Sequence, residues 1–237
     1  MKFYRSLPPL TAITFDLDDT LYDNHSVMLR LEARFLEWLN DNAAQMRRWD
    51  RMHWRVLREH ALRRAPSLKN DMTALRIATI EAGLSEQGYT KSHIDSITTA
   101  AMQRVYQWRN EVEILPSTHD VLSKLAKKYP LVAITNGNVD CHAIGLSHYF
   151  AYTFSAGPDG VAKPEPHLFN KAAKALSLNP EGILHVGDHL ISDVAGANAA
   201  GFKSAWLNTS NRSLRHSLNV ESLPDIELSD LRLLLSL

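Results

Sequence analysis

Hydrophobic positions along the chain follow two patterns. Five short segments, 12–17, 131–135, 152–155, 183–186 and 204–207, are apolar and rich in β-branched residues. The first, second and fourth are mostly apolar and each lies close to a polar residue at its C-terminal end, as in strands buried on both faces. Stretches of helical period separate them. In residues 119–129, Val121, Leu122, Leu125 and Ala126 share one stripe. Residues 167–176 and 193–200 form the next two helices, the last ended by Gly201 as a C-cap. Strand–helix–strand alternation predicts a Rossmann-like α/β core, a parallel sheet with helices on both faces.

Residues 22–114 are different. They show no strand pattern and at least four helical stripes. Leu31, Phe35, Trp38 and Leu39 make the first, and Trp49, Met52, Val56 and Leu57 the second. Met72, Leu75, Ala78 and Thr79 make the third, closed by a turn near Gly83. Ile94, Ile97, Ala101, Val105 and Trp108 make the fourth. The expected organisation is an α/β core from residues 1–21 and 115–237, with a helical bundle of residues 22–114 inserted after the first strand. Residues 208–223 are polar and read as a surface loop. Ser229 reads as the N-cap of a last helix carrying Leu231, Leu234 and Leu235.

Composition narrows the setting more than the fold. Lys plus Arg (26) equals Asp plus Glu (26) over 237 residues, so no net charge draws nucleic acid or an anionic membrane from a distance. Neither is expected as a partner. Cys141 is the one cysteine, so no intrachain disulfide forms, which fits a reducing, cytoplasmic setting. The N-terminal apolar stretch is broken by Pro8 and Pro9, and no apolar run approaches the ~20 residues of a membrane span.

Candidate chemistry gathers at the strand ends. Asp16-Leu17-Asp18-Asp19-Thr20 follows the first strand. Residues two apart in a strand share a face, so Asp16 and Asp18 start toward one side. Two such carboxylates repel unless a cation lies between them, and beside phosphate that cation is usually Mg²⁺. One can then act as nucleophile and the other as acid and base. Thr135 and Asn136 end the second strand, where a hydroxyl and backbone amides can hold phosphate oxygens. Lys163 can neutralise Asp16 and an incoming phosphate. Asp188 ends the strand 183–186 as a metal ligand, and Asp193, one turn on, can orient a metal-bound water or Lys163.

Each signal alone has an ordinary explanation: an acidic turn, a Thr-Asn-Gly turn, a solvated lysine, a helix N-cap. Their common placement at the C-terminal ends of core strands, where open α/β sheets bind ligands, is the stronger argument.

The set Asp16-x-Asp18-x-Thr20, Thr135, Lys163 and Gly187-Asp188-x4-Asp193 resembles the four motifs of the haloacid dehalogenase-like (HAD) hydrolase superfamily, with residues 22–114 as its helical cap. An acid at position 18 is similar to the phosphatases and phosphomutases of that superfamily, not to its dehalogenases. Residues 17–24, 133–138, 156–160 and 183–188 resemble a bacterial subfamily that dephosphorylates flavin mononucleotide and 5-amino-6-(5-phospho-D-ribitylamino)uracil, in riboflavin biosynthesis.

The resemblance implies Mg²⁺ held by Asp16, the backbone carbonyl of Asp18 and Asp188, with Asp193 in support. It implies an aspartyl-phosphate on Asp16, proton transfer by Asp18, and phosphate contacts from Thr20, Thr135, Asn136 and Lys163. The expected partner is a small phosphate monoester, and the expected state a monomer or weak homodimer. Trp38, Trp49, Trp54, Tyr106 and Trp108 are candidates for stacking a flat ring, against the simpler reading that they fill the bundle core. His25 and Arg30 are further candidates to face the site. The alternatives are a phosphosugar mutase, a phosphatase for another small metabolite, or a non-catalytic binding module on the same fold.

Overall fold

The computed structural model describes residues 1–210, 213–214 and 221–237. Part of the expected loop 208–223 lies outside the described residues. The chain divides into two compact units, one of Met1–Asp23 with Glu113–Leu237 and one of Asn24–Val112.

The first unit is built on a seven-stranded sheet. Its strands are β1 (Lys2–Phe3), β2 (Ala12–Phe15), β3 (Leu131–Thr135), β4 (Tyr152–Ser155), β5 (Ile183–Gly187), β6 (Lys203–Leu207) and β7 (Ile226–Leu228). They lie in the order β1-β7-β6-β5-β2-β3-β4, all parallel except β1, which pairs antiparallel with β7. Every residue of β2, β3 and β5 is buried, which accounts for their largely apolar sequences. From β2 the chain builds outward through β3 and β4, then crosses back to β5 on the other side of β2. The strand order therefore reverses between β2 and β5. That reversal opens a crevice at the strands' C-terminal ends.

Two helices expected between strands are present. Here α1–α4 denote the helices of the second unit, described below. In the first unit α5 spans Pro116–Leu125 and α6 spans His167–Leu176. One sheet face, bearing Ala12, Val132, Ile134, Phe154 and Ile183, packs on Leu168, Phe169 and Ala172 of α6. The expected helix 193–200 differs. A π-helical turn, Leu190–Ala195, starts three residues earlier and runs into α7, Gly196–Ala199. The last helix is a 3-10 segment, Leu231–Ser236, and its cap is Asp230 rather than Ser229. The Asp230 carboxylate accepts from the Arg232 N–H.

The second unit is helical throughout: α1 (Asn24–Ala43), α2 (Arg51–Arg64), α3 (Met72–Glu86) and α4 (Lys91–Arg109). Asp50 and Asp71 cap α2 and α3 by accepting from His53 N–H and Ala74 N–H. Leu31, Phe35, Leu39, Leu57, Ile80 and Ala101 are among its core residues.

Two expectations fail here. Met52 is 61% exposed and Val56 36%, and the buried stripe of α2 is Trp54, Leu57 and Ala61. The helix begins at Arg51, so Trp49 lies before it and does not set its phase. Nor does Gly83 end α3. The helix runs on to Glu86, and the turn comes at Gly88, with φ +81°.

Charge divides unevenly between the units. The helical unit carries 14 Lys and Arg against 10 Asp and Glu, and the α/β unit carries 12 against 16. The excess concentrates in residues 47–69, which hold eight basic and two acidic side chains. Arg48, Arg51, Arg58, Arg63 and Arg64 are all exposed there. Among the described residues no helix is long and apolar enough to cross a membrane.

Candidate active site

The site candidates converge at the crevice between β2 and β5. Asp16 follows the last residue of β2, and its N–H donates to the carbonyl of Val186 on β5 at 2.9 Å. That bond extends the β2–β5 pairing by one residue and fixes where the carboxylate emerges. Asp16 is 7% exposed. Lys163, 4% exposed, reaches it from the loop before α6. Its ammonium donates three bonds of 2.7 Å, to Asp16 Oδ1, Asp193 Oδ1 and the Ile134 carbonyl. All three hydrogens of the lysine are thereby assigned, which is how a buried ammonium is tolerated.

Asn136 holds the loop that carries Lys163. Its carboxamide donates to the Lys163 carbonyl at 2.9 Å and accepts from the Lys163 N–H at 2.8 Å. This clip is a role the sequence pattern did not anticipate. Thr135 is buried at the end of β3, and its hydroxyl accepts from Gly137 N–H at 2.9 Å. The hydroxyl hydrogen is then directed elsewhere. Thr20 is buried too, and its hydroxyl has no hydrogen-bond partner among the described residues.

Asp18 lies two residues beyond Asp16 and is half-buried. Asp19, next to it, adopts φ +58°, a left-handed conformation that Asp accepts more readily than most residues. Tyr22 O–H donates to Asp18 Oδ1 at 2.5 Å, which orients that carboxylate.

Asp188 follows β5 and is half-buried. Asp193 is 2% exposed, and the π-helical turn carries it back over the strand end. Its Oδ2 accepts from His189 N–H at 2.9 Å. Its Oδ1 accepts from Lys163 and faces Nε2 of His185 at 3.3 Å. His185, on β5 and 1% exposed, was not among the sequence candidates.

The electrostatics follow from this packing. Burial opposes the charge on Lys163, but Asp16 and Asp193 outweigh it, so its pKa lies above the ordinary lysine value. Burial would raise Asp193, yet Lys163 and His185 hold it far below the usual carboxylate range. Burial lowers His185 to about 4, so the ring is neutral near pH 7. Asp16 is pushed well above the carboxylate range, first by burial and then by Asp193 and Asp18, against the pull of Lys163.

These residues fit a divalent cation. Asp16, Asp188 and Asp193 each offer an oxygen within 4.8 Å of the others. An all-oxygen set of this kind suits a hard dication. The high pKa of Asp16 points the same way, because Lys163 alone leaves the cluster short of positive charge. Asp193 belongs to this group, where the family resemblance implied Asp18 as the third ligand through its backbone carbonyl. The oxygens of Asp193 are, however, already engaged by Lys163, His185 and His189.

The other candidates lie in the helical unit. Trp49 and Trp54 are buried in its core, and Trp38 and Trp108 pack against that core. Tyr106 is 42% exposed. His25 is exposed, as is Arg30, which donates to the Glu111 carbonyl at 3.2 Å.

A parallel sheet with a strand-order reversal, and carboxylates and a lysine at its lip, is the frame of one hydrolase class. Residues 10–201 match the haloacid dehalogenase-like hydrolase family, and the chain belongs to it. It is an enzyme of that family's phosphatase type. Among individual proteins, the chain is 38% identical over 237 residues to the 5-amino-6-(5-phospho-D-ribitylamino)uracil phosphatase YigB of Escherichia coli (strain K12), covering 100% of both. The crystal structure of a 2-haloacid dehalogenase from Pseudomonas syringae pv. Tomato DC3000 matches with a TM-score of 0.89 and 32% identity, over 95% of this chain and 96% of that one. The HAD-hydrolase YfnB of Bacillus subtilis, solved with magnesium bound, shares the fold with a TM-score of 0.67 and 20% identity, over 96% and 97%.

Proposed function

We propose that this enzyme is a Mg²⁺-dependent phosphatase that hydrolyses small phosphate monoesters through an aspartyl-phosphate on Asp16. The observation that carries the reading is the buried Asp16 carboxylate at the end of β2, held by Lys163 at 2.7 Å and grouped with Asp188 and Asp193. The full-length likeness to YigB supports a substrate of the riboflavin pathway: 5-amino-6-(5-phospho-D-ribitylamino)uracil, flavin mononucleotide or both.

Asp16, the backbone carbonyl of Asp18 and Asp188 would hold Mg²⁺, which supplies positive charge against the phosphate. The remaining steps belong to the chain's own residues. A carboxylate oxygen of Asp16 attacks phosphorus as the ester oxygen departs in line. Asp18, oriented by Tyr22, gives its proton to the departing alkoxide. A water then attacks the phosphorus of the acyl phosphate, Asp18 takes back a proton, and free phosphate leaves. Acid–base help of this kind is worth roughly 10²–10⁴ in rate. Lys163 balances the phosphate charge, and the hydroxyls of Thr135 and Thr20 donate to its oxygens.

The deciding assay follows phosphate release from these two esters, sugar phosphates and nucleotides, with Mg²⁺ or with chelator. The native protein should turn over only with Mg²⁺. Asp16→Asn should abolish turnover, and Asp18→Asn should slow it by about 10²-fold or more. Near-native rates in both variants would rule the scheme out. The best kcat/KM across the panel ranks the riboflavin-pathway esters against the others.

A further inference from the structure

We infer that His185 is a positioning residue for this reaction: its imidazole donates from Nε2 to Asp193 and so fixes the carboxylate that steadies Lys163 on Asp16. The kinetic consequence rests on the phosphatase reading, but the hydrogen bond itself does not.

The ring is clamped from three directions. Strand register sets Thr14 of β2 directly beside His185 of β5, and Thr14 Oγ1 lies 2.8 Å from Nδ1. Asp193 Oδ1 lies 3.3 Å from Nε2. Phe169 of α6 meets the ring at 4.9 Å between centroids, with planes at 89°.

The partners dictate the tautomer. The Asp193 carboxylate only accepts hydrogen bonds, and Lys163 already donates to the same Oδ1 at 2.7 Å. A lone pair on Nε2 would face that oxygen and repel it. The hydrogen therefore sits on Nε2, and Nδ1 accepts from the Thr14 hydroxyl, which can serve in either sense. The result is one continuous buried chain. Thr14 donates to His185, His185 donates to Asp193, and Lys163 donates to both Asp193 and Asp16.

The chain constrains the lysine. If Asp193 turned, Lys163 would lose one of its three bonds and its ammonium would drift relative to Asp16. An uncharged donor suits this position. A second cation would compete with Lys163 for Asp193, and an apolar side chain would leave the carboxylate one donor short.

Two measurements test the inference. ¹⁵N NMR of the histidine rings reads the tautomer without reference to activity. A proton on Nε2 is expected for His185, and the neutral Nδ1–H form, with a bare Nε2, would overturn the assignment. The second test compares His185→Gln, which retains an amide N–H to replace Nε2–H, with His185→Leu, which retains volume and no donor. Leu should lower kcat by about 10- to 100-fold, with KM within about threefold of native. Gln should recover most of that loss, although the two variants melt at similar temperatures. A native kcat in the Leu variant, or equal losses in both that follow their melting temperatures, would reduce His185 to a packing residue. If the Leu variant does not fold, Thr14→Val removes the donor to Nδ1 at nearly constant shape, and a smaller fall in kcat with unchanged KM is expected. An unchanged kcat there would count against the chain. If the native protein releases no phosphate from any ester, the phosphatase reading falls while the NMR result still decides the hydrogen bond.

Discussion

Gly187 marks how tightly the site is built. A Cβ placed there would stand 2.3 Å from Asp193 Cγ and 2.4 Å from its Oδ2, well inside contact distance. Gly187→Ala should push Asp193 off Lys163 and lower kcat by about 10²-fold or more while the protein stays folded, as steady-state kinetics beside a thermal melt would show. His185 carries a second expectation. Its native pKa of about 4 lies below the ordinary 6.5, so the unfolded chain binds a proton there that the folded chain refuses. The stability this gives is complete above pH 6.5 and declines as pH falls toward 4, by on the order of 3 kcal/mol. Urea unfolding across that window should show the decline in the native protein and a flatter one in His185→Gln. Asp16 and Asp188 were legible because each directly follows a mostly apolar strand, whereas Lys163, in the loop before α6, and Asp193, on the π-helical turn, stood out through the motif order they complete. His185 was not legible, because its partner Thr14 lies 171 positions away and only strand register joins them. The clip made by Asn136 stayed hidden for a similar reason: nothing local to a Thr-Asn-Gly turn says that its carboxamide grips a backbone 27 residues on.

At the scale of elements, Gly83 sets two effects against each other. Alanine in the middle of a helix is ordinarily worth ~1 kcal/mol over glycine. Here the new Cβ would meet Trp49 Cη2 at 2.4 Å and Leu57 Cδ1 at 2.8 Å. Overpacking of that kind costs about 1–3 kcal/mol, and an indole in a filled core has little room to retreat. Gly83→Ala should therefore lower the melting temperature by a few degrees rather than raise it, a result differential scanning calorimetry can read. A rise would mean that Trp49 yields freely. The same glycine explains a misread boundary, since in sequence it looks like a stop and in the fold it is a seat for a ring. The central strands were readable because burial on both faces keeps them mostly apolar, with Thr14 and His185 as the paired exceptions inside β2 and β5. The edge strand β1 and its neighbour β7 escaped, being two and three residues long and carrying Lys2 and Glu227. The π-helical turn escaped as well, because its extra residue per turn belongs to no periodic template.

For the molecule as a whole, the insertion of a helical unit into an α/β unit was plain from the switch in hydrophobic period. The distribution of charge was not, because a balanced total conceals it. The basic residues 47–69 and the acidic remainder cancel in the sum but not in place. Near its isoelectric point such a particle is a patchy colloid, not an uncharged one. At low ionic strength, copies should attract through unlike patches, and the protein should bind a cation exchanger at pH 7 despite its zero balance. Salt at ~0.1 M brings the screening length to about 10 Å and should weaken both effects. Static light scattering should then report a second virial coefficient that rises with the first additions of salt. Replacing Arg51, Arg55, Arg58, Arg63 and Arg64 with Gln should flatten that rise and release the protein from the exchanger. Salting-in, ordinarily a matter of the solvent, would here be written into one helix.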